Sequence, residues 1–324
     1  MKSNLLYDVI IVGAGPAGVA AGIYAVRREM KTLLISRDVG GQINLSGEIE
    51  NYPGFTSIKN FELVAKFQEH LKSARVETKV TEIKKIEKRA DGNFLLHTNK
   101  ETFEAKTIIL TMGLIPRRLA IPGEERLNGK GVSYCANCDG PLYKGKTVAV
   151  IGGGNSALDA AEVMSKIAAK VYLIHRREDF RAFEELVEEV KNRENIEILM
   201  NTDLKEIVGE NKVERVKVCN SKTGETSEVE LNGVFIEIGR IAHTDLVGDL
   251  VERDKANQIV VDEKQRTSQP GIYAAGDVTT VEFKQISIAI GQGTIAALAA
   301  YQYLLMKQGK KVKNIIDRSS RIIK

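Results

Sequence analysis

Val9-Ile10-Ile11-Val12-Gly13-Ala14-Gly15-Pro16-Ala17-Gly18 is an apolar run that enters a Gly-x-Gly-x-x-Gly turn. Val148-Ala149-Val150-Ile151-Gly152-Gly153-Gly154-Asn155-Ser156-Ala157 is the same construction ending in alanine. Gly13 and Gly152 stand 139 residues apart, and the next apolar strands, Lys31-Thr32-Leu33-Leu34-Ile35-Ser36 and Lys170-Val171-Tyr172-Leu173-Ile174-His175, keep that offset. A repeat at one spacing organises the chain into two βαβ units. Short β-branched runs of this kind suit parallel strands buried on both faces.

Working outward, the spacing predicts helices over 17–29 and 157–168. After each unit comes a polar, alternating stretch broken by turn residues: 76–98, with Ala-Asp-Gly-Asn before Phe94, and 196–229, with Lys-Thr-Gly-Glu. Both read as antiparallel inserts. Each domain then returns to a buried strand ending in glycine, 107–113 and 233–239. A further buried strand over 271–277 and an Ala-rich helix over 286–305 have no place in the second unit, which is already complete. The expected fold is therefore α/β, with two Rossmann-like three-layer domains, a parallel sheet with an antiparallel insert in each. The second domain, 115–244, is inserted in the first, 1–114 and 245–324. Pro116, Pro122 and residues 239–244 suit the crossings. The basic tail from Lys307 reads as a solvated end.

Composition closes off other classes. The chain has 324 residues, 43% hydrophobic and 28% charged, which is ordinary globular usage and excludes collagen, low-complexity disorder and coiled coil. A net charge of +4, no Trp and 6% aromatics argue against a nucleic-acid binder. The uncharged stretch 9–26 has the crude length of a membrane span, but its Gly and Pro residues mark a strand, a turn and a helix instead. The expectation is a cytoplasmic protein with no membrane partner.

The glycine turns carry a physical mechanism. Gly13 permits the tight turn, Gly15 lets backbone approach a pyrophosphate, and Gly18 lets helix pack on strand. The phosphates then sit at a helix N-terminus, here the one opened by Pro16 and Ala17. Ser36 occupies the place of the usual ribose-binding acid. In the second motif, Gly152, Gly154, Asn155, Ser156 and Ala157 form the turn, and the ribose place is His175, followed by Arg176, Arg177 and Arg181. Basic groups without an acid suit a 2′-phosphate, so this domain is expected to prefer NADPH over NADH.

Cys135-Ala136-Asn137-Cys138-Asp139 is the reactive segment. Two cysteines separated by two residues make a redox pair. Half of a zinc site is the rival, but only Cys219 and four scattered histidines remain as ligands, and no metal is expected. Asp139 reads equally as a proton carrier for thiol exchange or as the first residue of an Asp-Gly turn. Cys219, in an alternating run, reads as structural.

Taken in order, residues 13–18, Gly40-Gly41-Gln42, Asn51-Tyr52-Pro53-Gly54, 135–139, 152–157, 175–181 and Gly276-Asp277 resemble the low-molecular-weight thioredoxin reductases, over almost the whole chain. That resemblance implies FAD in the first domain and NADPH in the second, with the redox pair inside the NADPH domain. It implies that Gly40, Gly41, Gln42, Asn51 and Gly113 line the flavin site, with Gly276 and Asp277 near the ribityl phosphate and Gln285 and Ile286 near the ring. It makes Cys138 the flavin-facing sulfur, Cys135 the sulfur that attacks the protein substrate, and Asp139 the acid/base. The implied partner is thioredoxin or a thioredoxin-like disulfide protein, and the implied assembly a homodimer whose NADPH domain rotates. Asn137 departs from the Thr or Val common in this family. The competing expectation is an NADPH-dependent flavoenzyme for a different disulfide carrier, glutaredoxin-like or peroxiredoxin-linked. A ferredoxin- or flavodoxin-reducing enzyme of the same fold is expected to lack the cysteine pair, and a nucleotide-binding sensor would have little use for it.

Overall fold

The computed structural model describes residues 5–45 and 48–310, apart from the side chains of Leu45, Glu48 and Cys138. The basic tail beyond Lys310 lies outside the described residues. The chain divides into two compact units, Met1–Asn44 with Glu50–Leu114 and Ala242–Lys324, and Leu45–Ile49 with Ile115–Ile241. The later crossing falls after Ile241 because Ala242 and Thr244 are already buried, Thr244 donating its hydroxyl to Asn257 O at 2.8 Å.

Among the described residues the first unit is built on a seven-stranded sheet. Its parallel strands run Glu77–Val80, Thr32–Val39, Leu6–Ala14, Thr102–Leu110 and Ile272–Ala274. The long strand Thr102–Leu110 forks. Its second half pairs in parallel with Ile272–Ala274, and its first half pairs antiparallel with Phe94–His97, which in turn pairs with Lys85–Lys88. The run 9–26 resolves into the end of strand Leu6–Ala14 and most of helix Pro16–Arg27. Helix Ile286–Lys307 is long and apolar enough to cross a membrane by length and composition; here its small residues pack on helix Pro16–Arg27. A β-carbon on Gly293 would collide with the Ala17 carbonyl, so glycine sets how closely the two helices approach. On another face, Phe94, Leu96, Val247, Val251 and Ile259 pack with Ile10, Val12 and Ile108 of the sheet.

The second unit has a five-stranded parallel sheet in the order Val132–Ser133, Gly233–Ile236, Thr147–Ile151, Lys170–Ile174, Ile196–Leu199. Its central apolar run sorts by period two. Val148 and Val150 point with Phe235 into the core under helix Asn155–Ser165, while Ala149 and Ile151 point with Val234 and Ile236 into the core under an antiparallel sheet. That sheet is Thr202–Val208, Arg215–Asn220 and Thr226–Glu230. A short antiparallel ribbon pairs Ile115 with Ile241 and Pro116 with Arg240.

One expectation is corrected twice in the same way. The stretches 76–98 and 196–229 are not antiparallel throughout, because the first strand of each, Glu77–Val80 and Ile196–Leu199, completes a parallel sheet at its edge. An edge strand carries exposed residues like a hairpin strand, so polarity alone does not reveal its partner.

Candidate active site

In the first unit the glycines of the turn separate by physical role. Gly13 has φ +107°, and a β-carbon there would stand 2.5 Å from Thr111 O. A β-carbon on Gly18 would collide with the Gly13 carbonyl. Both are therefore required by the protein itself. Gly15 is different. Its φ is −73°, ordinary for any residue, and nothing lies within 4 Å of where its β-carbon would be. It is the N-cap of helix Pro16–Arg27, yet no side chain caps that helix. An unneeded glycine facing open space beside uncapped N–H groups fits a pyrophosphate approaching the backbone. Pro16 sits in the first turn, where its missing N–H costs nothing. Ser36 Oγ accepts the Ala14 amide at 3.1 Å, which leaves its hydroxyl hydrogen to donate.

The other predicted residues of this unit gather around that turn. Gly41 backs onto Gly15, a β-carbon there lying 3.2 Å from Gly15 Cα, and the Gly40 amide donates to Ala14 O at 2.8 Å. Gln42 Nε2 donates to Asp277 Oδ2 at 2.7 Å, and Asn51 Nδ2 donates to Gln285 Oε1 at 3.1 Å. Gly113, at φ +65°, places its missing β-carbon 3.6 Å from Gln42 Nε2. Gly276, at φ +78°, packs against Ala17, and its amide donates to Gln292 Oε1 at 2.8 Å. Gln285 and Ile286 begin helix Ile286–Lys307. The sequence reading did not single out Gln292 or Lys284. Lys284 Nζ donates to the backbone oxygens of Asp277 and Thr279 and to Gln258 Oε1, at 3.1, 2.7 and 2.6 Å. Burial pulls its ammonium below the ordinary lysine range, against the pull of the Asp277 and Asp254 charges. Its only sequence signal was a place between two predicted residues.

The second unit repeats the turn. Gly152, at φ +149°, lies so close under Glu237 that a β-carbon would collide with the Glu237 carbonyl. Ala157 is fully buried, while Gly154 has open space around its missing β-carbon and caps helix Asn155–Ser165 without a side-chain bond. Asn155 Oδ1 accepts the Phe183 amide at 2.9 Å, and Ser156 is exposed. The Arg181 amide donates to Gly153 O at 2.7 Å, tying the basic segment to the turn. Arg176, Arg177 and Arg181 are exposed and make no ion pair among the described residues. His175 is placed otherwise than a ribose ligand: it is 7% exposed, stacked on Phe180, packed over Gly153, and its Nε2 lies 3.0 Å from Asp179 O. Its ring shapes the turn that presents the arginines.

The redox segment belongs to this same unit. Cys135 is disulfide-bonded and Cys219 is free. The side chain of Cys138 lies outside the described residues. Ser133, buried, holds the Cys135 backbone from both sides, its Oγ accepting the amide at 3.1 Å and donating to the carbonyl at 3.3 Å. The Asp139 amide donates to Cys135 O at 3.2 Å. Tyr143, edge-on to Phe235, has its phenol pushed up by burial and then by the Asp139 charge. Buried Glu124, also missed, accepts from Tyr134 Oη at 2.7 Å and from the Ala120 amide at 2.6 Å. Another missed acid is Glu237, whose carboxylic acid is pushed up to about 7, by burial first, against the pull of the Arg240 charge. Among the described residues no group of three His, Cys, Asp or Glu is placed to hold a metal ion.

Comparison with known proteins places this geometry. The profile of the family described as pyridine nucleotide-disulphide oxidoreductase matches residues 7–293. The thioredoxin reductase of Treponema pallidum is 41% identical over 300 residues, 92% of this chain and 97% of that protein. Among solved structures, Lactococcus lactis thioredoxin reductase is 40% identical with a TM-score of 0.81, covering 93% of this chain and 99% of that one. A ferredoxin-flavin thioredoxin reductase from Clostridium acetobutylicum is 33% identical with a TM-score of 0.52, covering 93% and 99%.

Proposed function

The chain belongs to the pyridine nucleotide-disulphide oxidoreductase family, and on that premise we propose that it is a thioredoxin-disulfide reductase that draws its electrons from NADPH through FAD. What carries the reading is one juxtaposition: a disulfide-bonded Cys135 in the same unit as a second dinucleotide turn whose three arginines lack acidic partners. Those free guanidinium groups suit the 2′-phosphate that distinguishes NADPH from NADH.

The residues of the first unit fit FAD. Gly13, Gly15, Pro16, Ala17 and Gly18 would hold its pyrophosphate, Ser36 its ribose, and Gly40, Gly41, Gln42, Asn51, Gly113, Gly276, Asp277, Gln285 and Ile286 the rest of its length. FAD when bound supplies two-electron chemistry, taking hydride and passing on an electron pair. In the second unit Gly152, Gly154, Asn155, Ser156 and Ala157 would receive the NADPH pyrophosphate at a helix N-terminus. Arg176, Arg177 and Arg181 would bind its 2′-phosphate on a turn shaped by His175.

The protein then performs a thiol–disulfide exchange. With Cys135 and Cys138 reduced, the Cys135 thiolate attacks one sulfur of the thioredoxin disulfide, and the bond between the two carrier sulfurs breaks. Cys138 next attacks the mixed disulfide, restoring the Cys135–Cys138 bond. The carrier leaves as a dithiol, having gained two electrons and two protons. Asp139, beside the second sulfur, moves the proton that each attack requires. The enzyme acts in the cytoplasm as a homodimer.

The test is an anaerobic assay of holoenzyme with NADPH, NADH or reduced ferredoxin as donor, and with thioredoxin, a glutaredoxin-like protein or a peroxiredoxin-linked carrier as acceptor. Fast turnover only with NADPH and thioredoxin is expected. Turnover driven by ferredoxin and not NADPH would overturn the donor, and preference for another carrier would overturn the substrate.

A further inference from the structure

Glu124 is an acid shut inside the second unit, at 2% exposed. Burying an acid costs free energy unless donors meet it, and here three do. Its Oε1 accepts the Leu119 amide at 3.1 Å and the Tyr134 hydroxyl at 2.7 Å, and its Oε2 accepts the Ala120 amide at 2.6 Å. The acid stands on a fixed base. Ala120 is held at φ +58°, a left-handed conformation uncommon for a residue with a β-carbon. Gly123, at φ +88°, lies so close to strand Thr202–Val208 that a β-carbon would collide with the Ile207 carbonyl, and the Ile207 amide donates to Pro122 O at 3.0 Å. The segment is thereby seated on the antiparallel sheet, and Leu119, Ile121 and Tyr134 pack against the same apolar core.

Tyr134 is the residue before Cys135. Burial, and then the bond to Glu124, push its phenol above the ordinary tyrosine range, so it stays a donor at neutral pH. On its other side Ser133 is paired into the parallel sheet, and the Ser133 hydroxyl brackets the amide and carbonyl of Cys135. Sheet, phenol and hydroxyl thus hold the chain up to the residue that carries the attacking sulfur. Nothing in the exchange chemistry uses Glu124 or Tyr134.

Resting on the disulfide-reductase reading, we propose that Glu124 is a positioning residue of the redox pair: through Tyr134 it fixes the backbone that carries Cys135, so that the dithiol is already arranged to close.

The consequence lies in the equilibrium between disulfide and dithiol. When the pair closes, two thiols lose two protons and two electrons, and one S–S bond forms. In a loose segment, closure also takes away backbone freedom; in a fastened one that freedom is already gone on folding. The bond from Tyr134 to Glu124 therefore favours the disulfide, and cutting it makes the disulfide easier to reduce.

The experiment is an equilibrium titration of the holoenzyme disulfide with dithiothreitol at pH 7.5, thiols being counted by alkylation above the background of Cys219. The reductant cyclises to its own disulfide as the protein disulfide takes up two electrons and two protons, so the balance is closed. Y134F keeps the ring and removes only the hydroxyl. Its disulfide is expected to be easier to reduce by roughly three- to tenfold in the equilibrium constant, the net contribution of one hydrogen bond. Y7F is the control, since Tyr7 Oη donates to Glu77 Oε1 at 3.0 Å in the first unit. It removes the same kind of bond, and is expected to leave the disulfide equilibrium unchanged. E124Q is expected to shift the equilibrium in the same direction as Y134F, and the double variant by less than the product of the two single shifts, because both weaken one bond. A Y134F equilibrium equal to wild type, an equal shift in Y7F, or single shifts that multiply in full overturns the proposal; the Y134F and Y7F comparison decides by itself if E124Q does not fold. Because dithiothreitol needs no NADPH, the underlying reading fails separately, by wild type showing no NADPH-driven opening of the same disulfide.

Discussion

Gln42 and Asp277 stand 235 residues apart and meet in a 2.7 Å hydrogen bond from Nε2 to Oδ2. It joins the loop after strand Thr32–Val39 to the turn after strand Ile272–Ala274, and Gly41, next to Gln42, backs onto Gly15. The glycine turn and the Gly276-Asp277 turn, distant in sequence, thus become neighbours around one space.

Loosening that bond is expected to loosen FAD. A hydrogen bond to a charged group contributes about 1.5–3 kcal/mol, so Q42A and D277A are each expected to weaken FAD binding by roughly ten- to a hundredfold. Flavin fluorescence titration of the apoenzyme measures it. Full FAD retention by both variants would remove these residues from the site.

The glycines of one turn are expected to fail in different ways. G18A forces a β-carbon into the Gly13 carbonyl and is expected to lower Tm by roughly 5 °C or more. G15A and G154A fill open space and are expected to melt like the parent. Instead, G15A should lose FAD affinity, and G154A should raise KM for NADPH. Calorimetry beside binding titrations separates the two; unaltered affinity in G15A would mean that the space serves no cofactor.

Arg176, Arg177 and Arg181 predict coenzyme choice. Each charge-assisted bond to the 2′-phosphate contributes about 1.5–3 kcal/mol. R176A is therefore expected to lower kcat/KM for NADPH by roughly ten- to a hundredfold, mainly through KM, and to leave NADH nearly unaffected. Steady-state kinetics with both coenzymes decides; an equal fall for each would make the arginine structural.

The two sulfurs predict unequal variants. C138S is expected to stop thioredoxin reduction while NADPH still bleaches the flavin. It should also trap, through Cys135, a mixed disulfide with a thioredoxin lacking its resolving cysteine. C135S should fail in reduction and form no such adduct at position 135. Non-reducing gels and flavin absorbance read both, and normal turnover by either variant would refute the exchange mechanism.

The repeat was legible because backbone geometry is local. The same offset of 139 that links Gly13 to Gly152 links the observed pairs Val12 with Ile35 and Ile151 with Ile174. Strand, glycine turn and helix are each dictated by residues within about one turn or pleat of one another, so the period of apolar residues and the placing of glycine specify them. The nucleotide turns, the arginine segment and the cysteine spacing are read the same way. Tertiary structure decided the rest. The third strands, ending at Leu110 and Ile236, sit 126 residues apart instead, and Glu77–Val80 and Ile196–Leu199 found parallel partners that their polarity concealed. His175 turned inward onto Gly153 and Phe180, while Gln292 and Lys284 joined the Gly276 turn of the first unit and Glu237 came to lie over Gly152 in the second. Hydrogen bonds between distant segments impose no period on the sequence, and the burial that pushes Glu237 to about 7 exists only once the sheet and the glycine turn have packed against it.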